Sequence, residues 1–309
     1  MKKILYSMLV LALLHQADGS CLAAQDMVQV KGSDTLINVV QKLAEVYMAK
    51  NPGAAIAVTG GGSGTGIAAL VNGKCDIANA SRGIKAKEVE QANSRGIDPK
   101  RIVVAIDGLA IVVNSANPVT QLTVEQIGKI YKGEITNWQD VGGANAPVTL
   151  YGRQSNSGTY DFMKEVVMNG EYSSALKSMN GNAQIIEAIA QDTSGIGYVG
   201  VGYVKEAAGI RALLVASKPA MGYFSPLNSQ DVKSGKYPIS RPLNQYLNGT
   251  PAGAVTSFIE FELSEEGQSI VEKEGFFAIP DEYQAYNDQT LGRTYELREP
   301  VSQQRKAVE

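Results

Sequence analysis

Three times in the first 170 residues, a strand-like apolar run ends in a glycine- and hydroxyl-rich turn that opens a helix-like run. The first unit is Met27 to Lys31, then Gly32-Ser33-Asp34-Thr35. A stretch from Leu36 to Lys50 follows, with Leu36, Val39, Val40, Leu43, Val46 and Tyr47 on one face at helical spacing. The second unit is Ala55 to Thr59, then Gly60 to Gly66, then a helix opening near Ile67 and stopping at Asn72-Gly73. The third is Val148 to Tyr151, then Gly152 and the turn from Arg153 to Thr159. It leads into a helix from Tyr160 to Met168, with Ser157 at the N-cap position. Repeated strand–helix units predict an α/β fold with mostly parallel strands. In open sheets of that kind ligands sit beyond the carboxyl ends of the strands, where all three turns lie.

A helix start presents backbone N–H groups with no partner in the helix, and these attract anions. The third turn adds the hydroxyls of Ser157 and Thr159 and the planar guanidinium of Arg153, a set that suits a tetrahedral oxyanion. Taken alone, it reads equally as a capped helix with an exposed Arg. The turn from Gly60 to Gly66 carries a loose dinucleotide fingerprint through Gly64, Gly66 and Ala69, without an acid at the spacing a ribose needs. It also lacks the Gly-Lys-Ser/Thr ending of a P-loop. The remaining functional reading is an anion held by Ser63 and nearby N–H groups.

Asp34 in the first turn adds selectivity. A carboxylate repels a bare anion and accepts from one that carries a proton. Phosphate near neutral pH carries a proton and sulfate does not. A further strand-like run, Cys75 to Ala80, closes on Ser81-Arg82, where Arg82 is either a second positive contact or a surface residue.

Elsewhere, Lys85 to Gly96 reads as a polar surface helix, and Ile102 to Ile106 and Leu109 to Asn114 as central strands. Thr123 to Tyr131 reads as a helix with Thr123 and Gln126 in a capping box. Trp138 reads as a packing anchor. Ala183 to Gln191 is expected helical, Gly195 to Gly200 and Ala212 to Ala216 extended, and Tyr246 to Leu263 largely helical, with a further helix from Ser264 to Lys273. The polar stretch from Asp281 to Glu309 is expected to be loosely packed.

The N-terminus reads as an export signal over residues 1–24. Lys2 and Lys3 precede an apolar run from Ile4 to Leu14, too short for a membrane span, and small residues follow. Lipid anchoring at Cys21 is the lesser alternative, because Asp18-Gly19-Ser20 matches the required preceding residues poorly. Cleavage after Ala24 removes Cys21 and His15, the only His, and leaves Cys75 as a single thiol. That excludes an intrachain disulfide, Ser-His-Asp and Cys-His catalysis, and His-based metal sites. A net charge of −3 gives no footprint for nucleic acid or anionic membranes. No cofactor or metal is expected, and the chain is read as a non-catalytic monomer.

The turns, with three further segments, resemble the solute-binding proteins of the bacterial phosphate-specific (Pst) ABC uptake system. The matching pieces are Gly32-Ser-Asp-Thr-Leu36, Gly61-Gly-Gly-Ser-Gly-Thr-Gly66, Asp76-Ile-Ala-Asn-Ala-Ser-Arg82 and Tyr131 to Trp138. Arg153-x-x-x-Ser157-Gly158-Thr159 and Gly195-Ile-Gly-Tyr198 complete the set, in order over about Met27 to Pro280. The resemblance implies a two-lobed periplasmic-binding-protein fold of type II that closes on inorganic phosphate and serves a membrane ABC permease in the periplasm. Lobe 1 is expected at 27–108 plus 218–280 and lobe 2 at 109–217. By the resemblance, Arg153, Ser157, Gly158 and Thr159 bind from lobe 2. Asp34, Thr35 and Ser63 bind from lobe 1, with Ser33 beside them and Arg82 as a further candidate. Some members place an Asp where this chain has Ser81, which leaves Asp34 as the candidate proton acceptor. The competing readings are a binding protein for molybdate or sulfate, an exported phosphatase, and an adhesion or signalling protein on the same fold.

Overall fold

A computed structural model describes residues Met27 to Arg293. The expected export signal, its Cys21 alternative and residues 294–309 lie outside them. Among the described residues no helix is long and apolar enough to cross a membrane.

The first sheet holds β1 (Val28–Gly32), β2 (Ile56–Thr59), β3 (Ile77–Ala80), β4 (Pro99–Gly108) and, from far along the chain, β12 (Ser240–Asn248). Its order is β2-β1-β3-β12-β4. The second holds β5 (Ala110–Asn114), β7 (Thr149–Arg153), β8 (Lys177–Met179), β9 (Gly195–Val199) and β10 (Ile210–Ala212), in the order β10-β5-β9-β7-β8. A small parallel pair, β6 (Gln121–Thr123) with β11 (Leu214–Ala216), lies on the return path. Each large sheet is the heart of one lobe, and the chain passes between them directly from β4 into β5.

The sheets are mixed where mostly parallel ones were expected. β1 pairs β2 and β3 in parallel, but β12 runs antiparallel to both β3 and β4. In the second sheet β7 is parallel to β8 and β9, while β5 is antiparallel to β9 and β10. Parallel pairing needs a crossover, and the strand–turn–helix units supply it. β5 enters straight from the other lobe, and β12 enters after the chain has returned from it, so neither is joined to its neighbours by such a crossover.

Helices cover both faces of each sheet. On the first, α1 (Ile37–Lys50) buries Val39, Val40, Leu43 and Ala44, the face expected from its spacing. It packs with α8 (Gly253–Leu263) and α9 (Glu265–Lys273) over one face, and α2 (Ser63–Val71) and α3 (Ala86–Asn93) cover the other. On the second sheet, α6 (Asn182–Gln191) lies on one face. α4 (Val124–Lys132) packs on the other with α5 (Gly158–Phe162), which runs on into a π-helical turn at Met163–Met168. A short α7 (Ser229–Lys233) precedes β12. The Thr123–Gln126 capping box forms as expected. Trp138 is buried, with Nε1 donating to the Ser194 carbonyl at 2.9 Å.

Two segments differ from the sequence reading. Tyr246 to Asn248 belongs to β12, and helix α8 starts only at Gly253, after the turn at Gly249. The start of the supposed loose tail, Asp281–Thr290, is a helix, α10. It packs on the edge strand β4, where the buried Asn287 side chain accepts from Val103 N at 2.8 Å and donates to Val103 O at 2.7 Å. One amide thus satisfies both backbone groups of an edge position, a role that a polar composition conceals.

Candidate functional site

The three turns meet between the lobes. After β1 the chain makes a short 3-10 turn at Asp34–Leu36 before α1. After β2, Gly61 and Gly62 turn at φ 117° and 90°, so helix α2 opens at Ser63, four residues earlier than the sequence suggested. A side chain at Gly62 is excluded twice, by its positive φ and by the Asn156 carbonyl 2.6 Å from where a Cβ would stand. After β7, Ser157 caps α5 by accepting from Thr159 N and Tyr160 N at 3.2 and 3.4 Å.

Five buried hydroxyls converge where these starts face one another. Ser33 Oγ donates to Ser81 Oγ at 3.0 Å, and Ser81 Oγ lies 3.4 Å from both Ser63 Oγ and Thr159 Oγ1. Thr35 Oγ1 is 3.1 Å from Thr159 Oγ1, across the lobes. Ser63 Oγ also accepts from Ser81 N at 3.0 Å. Gly158 is what lets α5 approach so closely. A Cβ there would lie 2.3 Å from Ser63 Oγ and 2.8 Å from Ser81 Oγ.

Two guanidinium groups flank the hydroxyls. Arg241, on β12, donates through Nη2 to Thr159 Oγ1 at 3.0 Å and through Nη1 to the Ser81 carbonyl at 2.9 Å. Its Nε and Nη2 hold Asp107 Oδ2 at 3.0 and 2.9 Å, and Asp107 Oδ1 accepts from Val201 N at 2.8 Å. Burial pushes the Asp107 carboxyl up and the Arg241 guanidinium down, each toward its neutral form, and their mutual attraction opposes both. Arg241 stays charged, because a guanidinium does not release its proton in proteins.

Arg153 is 2% exposed and reaches Asp34 across the lobes through Nη2, which also donates to the Asn180 carbonyl at 2.9 Å. Its buried Nε has no hydrogen-bond partner among the described residues, so the group has donor capacity to spare. Tyr198 Oη holds its backbone, accepting from Arg153 N at 3.0 Å. Asp34 Oδ1 accepts from Gly61 N at 3.1 Å, and the Asp34 carbonyl accepts from Tyr203 Oη at 2.7 Å. Burial, then the neighbouring Asp34, pushes the Tyr203 hydroxyl up to about 12, so it remains a donor.

Of the residues singled out in the sequence, Ser33, Asp34, Thr35, Ser63, Arg153, Gly158 and Thr159 are brought together here. Ser157 is adjacent; its oxygen accepts the helix-cap bonds, which leaves its hydroxyl proton to donate. Arg82 is not part of the cluster. Its guanidinium is bidentate to Glu88, with Nη1–Oε2 2.8 Å and Nη2–Oε1 2.7 Å, and its Nε lies 2.9 Å from Asp161 Oδ2. Burial opposes that charge, yet the two carboxylates hold Arg82 above its ordinary pKa. Burial likewise pushes Glu88 up, but Arg82 and the Lys85 N–H hold it below its ordinary value. Three contributors escaped the sequence reading. Ser81 was left in doubt because some relatives carry an Asp there, Asp107 fell between two apolar runs read as strands, and Arg241 lay in a stretch where no pattern was read. The usable signal was an Arg and an Asp each inside a strand-forming run, where a charge must find a partner.

Comparison with known proteins gives the same kinship. The PBP superfamily domain matches residues 20–266. The phosphate-binding protein PstS of Pseudomonas aeruginosa is 33% identical over 267 residues, covering 81% of this chain and 82% of that protein. A Clostridium perfringens phosphate ABC transporter substrate-binding protein, solved with bound phosphate, superposes with a TM-score of 0.75. It is 31% identical, and the match covers 82% of this chain and all of that one. An ABC-type phosphate transport receptor from Vibrio cholerae gives a TM-score of 0.66 at 30% identity, with 82% and 100% covered. With the fold, the ordered turns and these matches in agreement, the chain belongs to the PstS-type solute-binding proteins of the PBP superfamily.

Proposed function

We propose that this protein captures inorganic phosphate between its lobes and delivers it, outside the cytoplasm, to a membrane ABC permease, without chemical change. The observation that carries this reading is the convergence of five hydroxyls, three helix starts and two guanidinium groups on one buried point. Hydroxyls and helix N–H groups replace the hydration of a buried anion, and the arginines supply charge. Each lobe holds part of the set, so a ligand that bridges them favours closure.

In this reading Ser33, Thr35, Ser63, Ser81 and Thr159 form the wall, with Arg153 and Arg241 as its charges. Asp34 accepts the proton of phosphate and repels a fully ionised oxyanion such as sulfate; molybdate is disfavoured on the same ground. An exported phosphatase is the weaker reading. No carboxylate or imidazole accepts a hydrogen bond from the five hydroxyls among the described residues, so none is poised as a nucleophile. Export through the N-terminal signal supports a periplasmic location, and the chain is proposed to act as a monomer without nucleic acid.

Calorimetric titration tests the reading. Phosphate is expected to bind and sulfate to give no heat, while Asp34→Asn is expected to admit sulfate. Equal binding of both anions by the unaltered protein would remove the selectivity argument, and no phosphate binding would remove the function.

A further inference from the structure

The sequence left Arg82 open between a ligand contact and a surface residue; its guanidinium is held apart from the five hydroxyls, in a group of charges that spans the lobes. On the lobe 1 side stand Arg82 and Lys85, with Glu88 between them. On the lobe 2 side stand Asp161, in α5, and Glu165, in the π-helical turn that follows. Asp161 Oδ2 lies 2.9 Å from Arg82 Nε and 2.8 Å from Lys85 Nζ, and Glu165 lies 3.7 Å from the same Lys85 Nζ. The Arg82 and Asp161 side chains are 7% and 13% exposed, so this contact is largely out of water. Lobe 1 brings two cations against one carboxylate, and lobe 2 brings two carboxylates. The two faces are complementary only when they meet.

We propose that Asp161, with Arg82 and Lys85, is an interlobe latch that sets how long phosphate is held without touching it. The inference rests on the phosphate reading above. Its position makes the coupling direct. Arg82 follows Ser81, and Asp161 lies two residues after Thr159, and these two hydroxyls are 3.4 Å apart across the lobes. Docking Arg82 on Asp161 therefore seats the two walls of the site against each other. Glu88 completes the design. It keeps Arg82 paired within lobe 1 when Asp161 departs, so opening leaves no buried charge without a partner. Asp161 is thus a positioning residue, and removing its charge is expected to act on release more than on capture.

The test is Asp161→Asn in the full-length protein, with stopped-flow release and calorimetry against phosphate and sulfate. Phosphate Kd is expected to rise about tenfold, through faster dissociation, with the phosphate-to-sulfate preference and the urea unfolding midpoint unchanged. Lys85→Met, at a half-exposed position, is expected to give a smaller shift of the same kind and serves if the first variant does not fold. Unchanged Kd and release in both variants would overturn the latch. So would a changed anion preference, because Asp161 would then be acting on the ligand itself. If the unaltered protein binds no phosphate, the phosphate reading fails separately. Small-angle scattering then decides the latch: Asp161→Asn is expected to be more open than the parent, and identical profiles would overturn it.

Discussion

Arg241 and Thr159 are 82 residues apart in sequence and belong to different lobes, yet Arg241 Nη2 donates to Thr159 Oγ1 at 3.0 Å. The same nitrogen holds Asp107, at the end of the strand that leads out of lobe 1. One guanidinium therefore joins the candidate anion wall to the crossing between lobes. Replacing Arg241 alone with Leu strands a fully buried carboxylate and is expected to cost about 3–5 kcal/mol. The double variant Arg241→Leu/Asp107→Leu is expected to regain most of that stability without regaining phosphate affinity. Urea unfolding beside calorimetry separates the two effects, and full affinity in the double variant would remove Arg241 from the site.

Gly158 lets the hydroxyl-bearing walls of the two lobes meet. Gly158→Ala places a methyl against Ser63 Oγ and Ser81 Oγ, neither of which can retreat without leaving the cluster. Phosphate affinity is expected to fall about a hundredfold, roughly 2.7 kcal/mol. Helical Ala costs the isolated lobe nothing. Unchanged unfolding with an open scattering profile is the expected pair of results.

Glu262 is buried on α8, with one oxygen accepting from Gln245 Nε2 at 3.1 Å and the other unpartnered among the described residues. Burial pushes its carboxyl up to about 8, against a weaker pull from Gln245. At low pH, folded and unfolded chains both hold the proton and Glu262 has no effect on stability. As pH rises through the ordinary carboxyl range toward about 8, only the unfolded chain ionises there, so stability falls. Above that the loss is complete. Glu262→Gln is expected to be more stable than the parent at pH 8, by about 2–4 kcal/mol, and equal to it near pH 4. Parallel pH profiles for the two proteins would show that Glu262 does not titrate in this way.

Asn287 in α10 satisfies both backbone groups of Val103. Asn287→Ala leaves a buried N–H and C=O without partners and is expected to cost about 2–3 kcal/mol in urea unfolding. A change below about 0.5 kcal/mol would mean that water replaces the amide.

The helix starts were legible because their signals are local: a glycine or hydroxyl turn, then apolar residues at helical spacing. Ser63, Thr35 and Thr159 follow from such signals, and so does the capping box at Thr123. Arg241 and Asp107 were not legible, because their meaning depends on β12 returning from the other lobe to lie beside β4, with Arg241 opposite Asp107. Arg82 stayed open between two readings for a related reason. It stands at the right strand end, but Glu88, six residues on, turns its guanidinium away. Helix α10 was missed because the composition is polar and its one deeply buried contact is made by an amide.

The groups packed at the meeting of the lobes include five alcohols. An alcohol proton turns about its C–O bond, so each of them offers a hydrogen or a lone pair as its neighbour requires. Around neutrality phosphate exists as monoanion and dianion, which differ by a single hydrogen. In the proposed site, a lining of rotors can re-sort its own hydrogens to greet either form, so capture is expected to be buffered against the acidity of the surroundings. Asp34 alone, in that proposal, asks that the guest bring a proton.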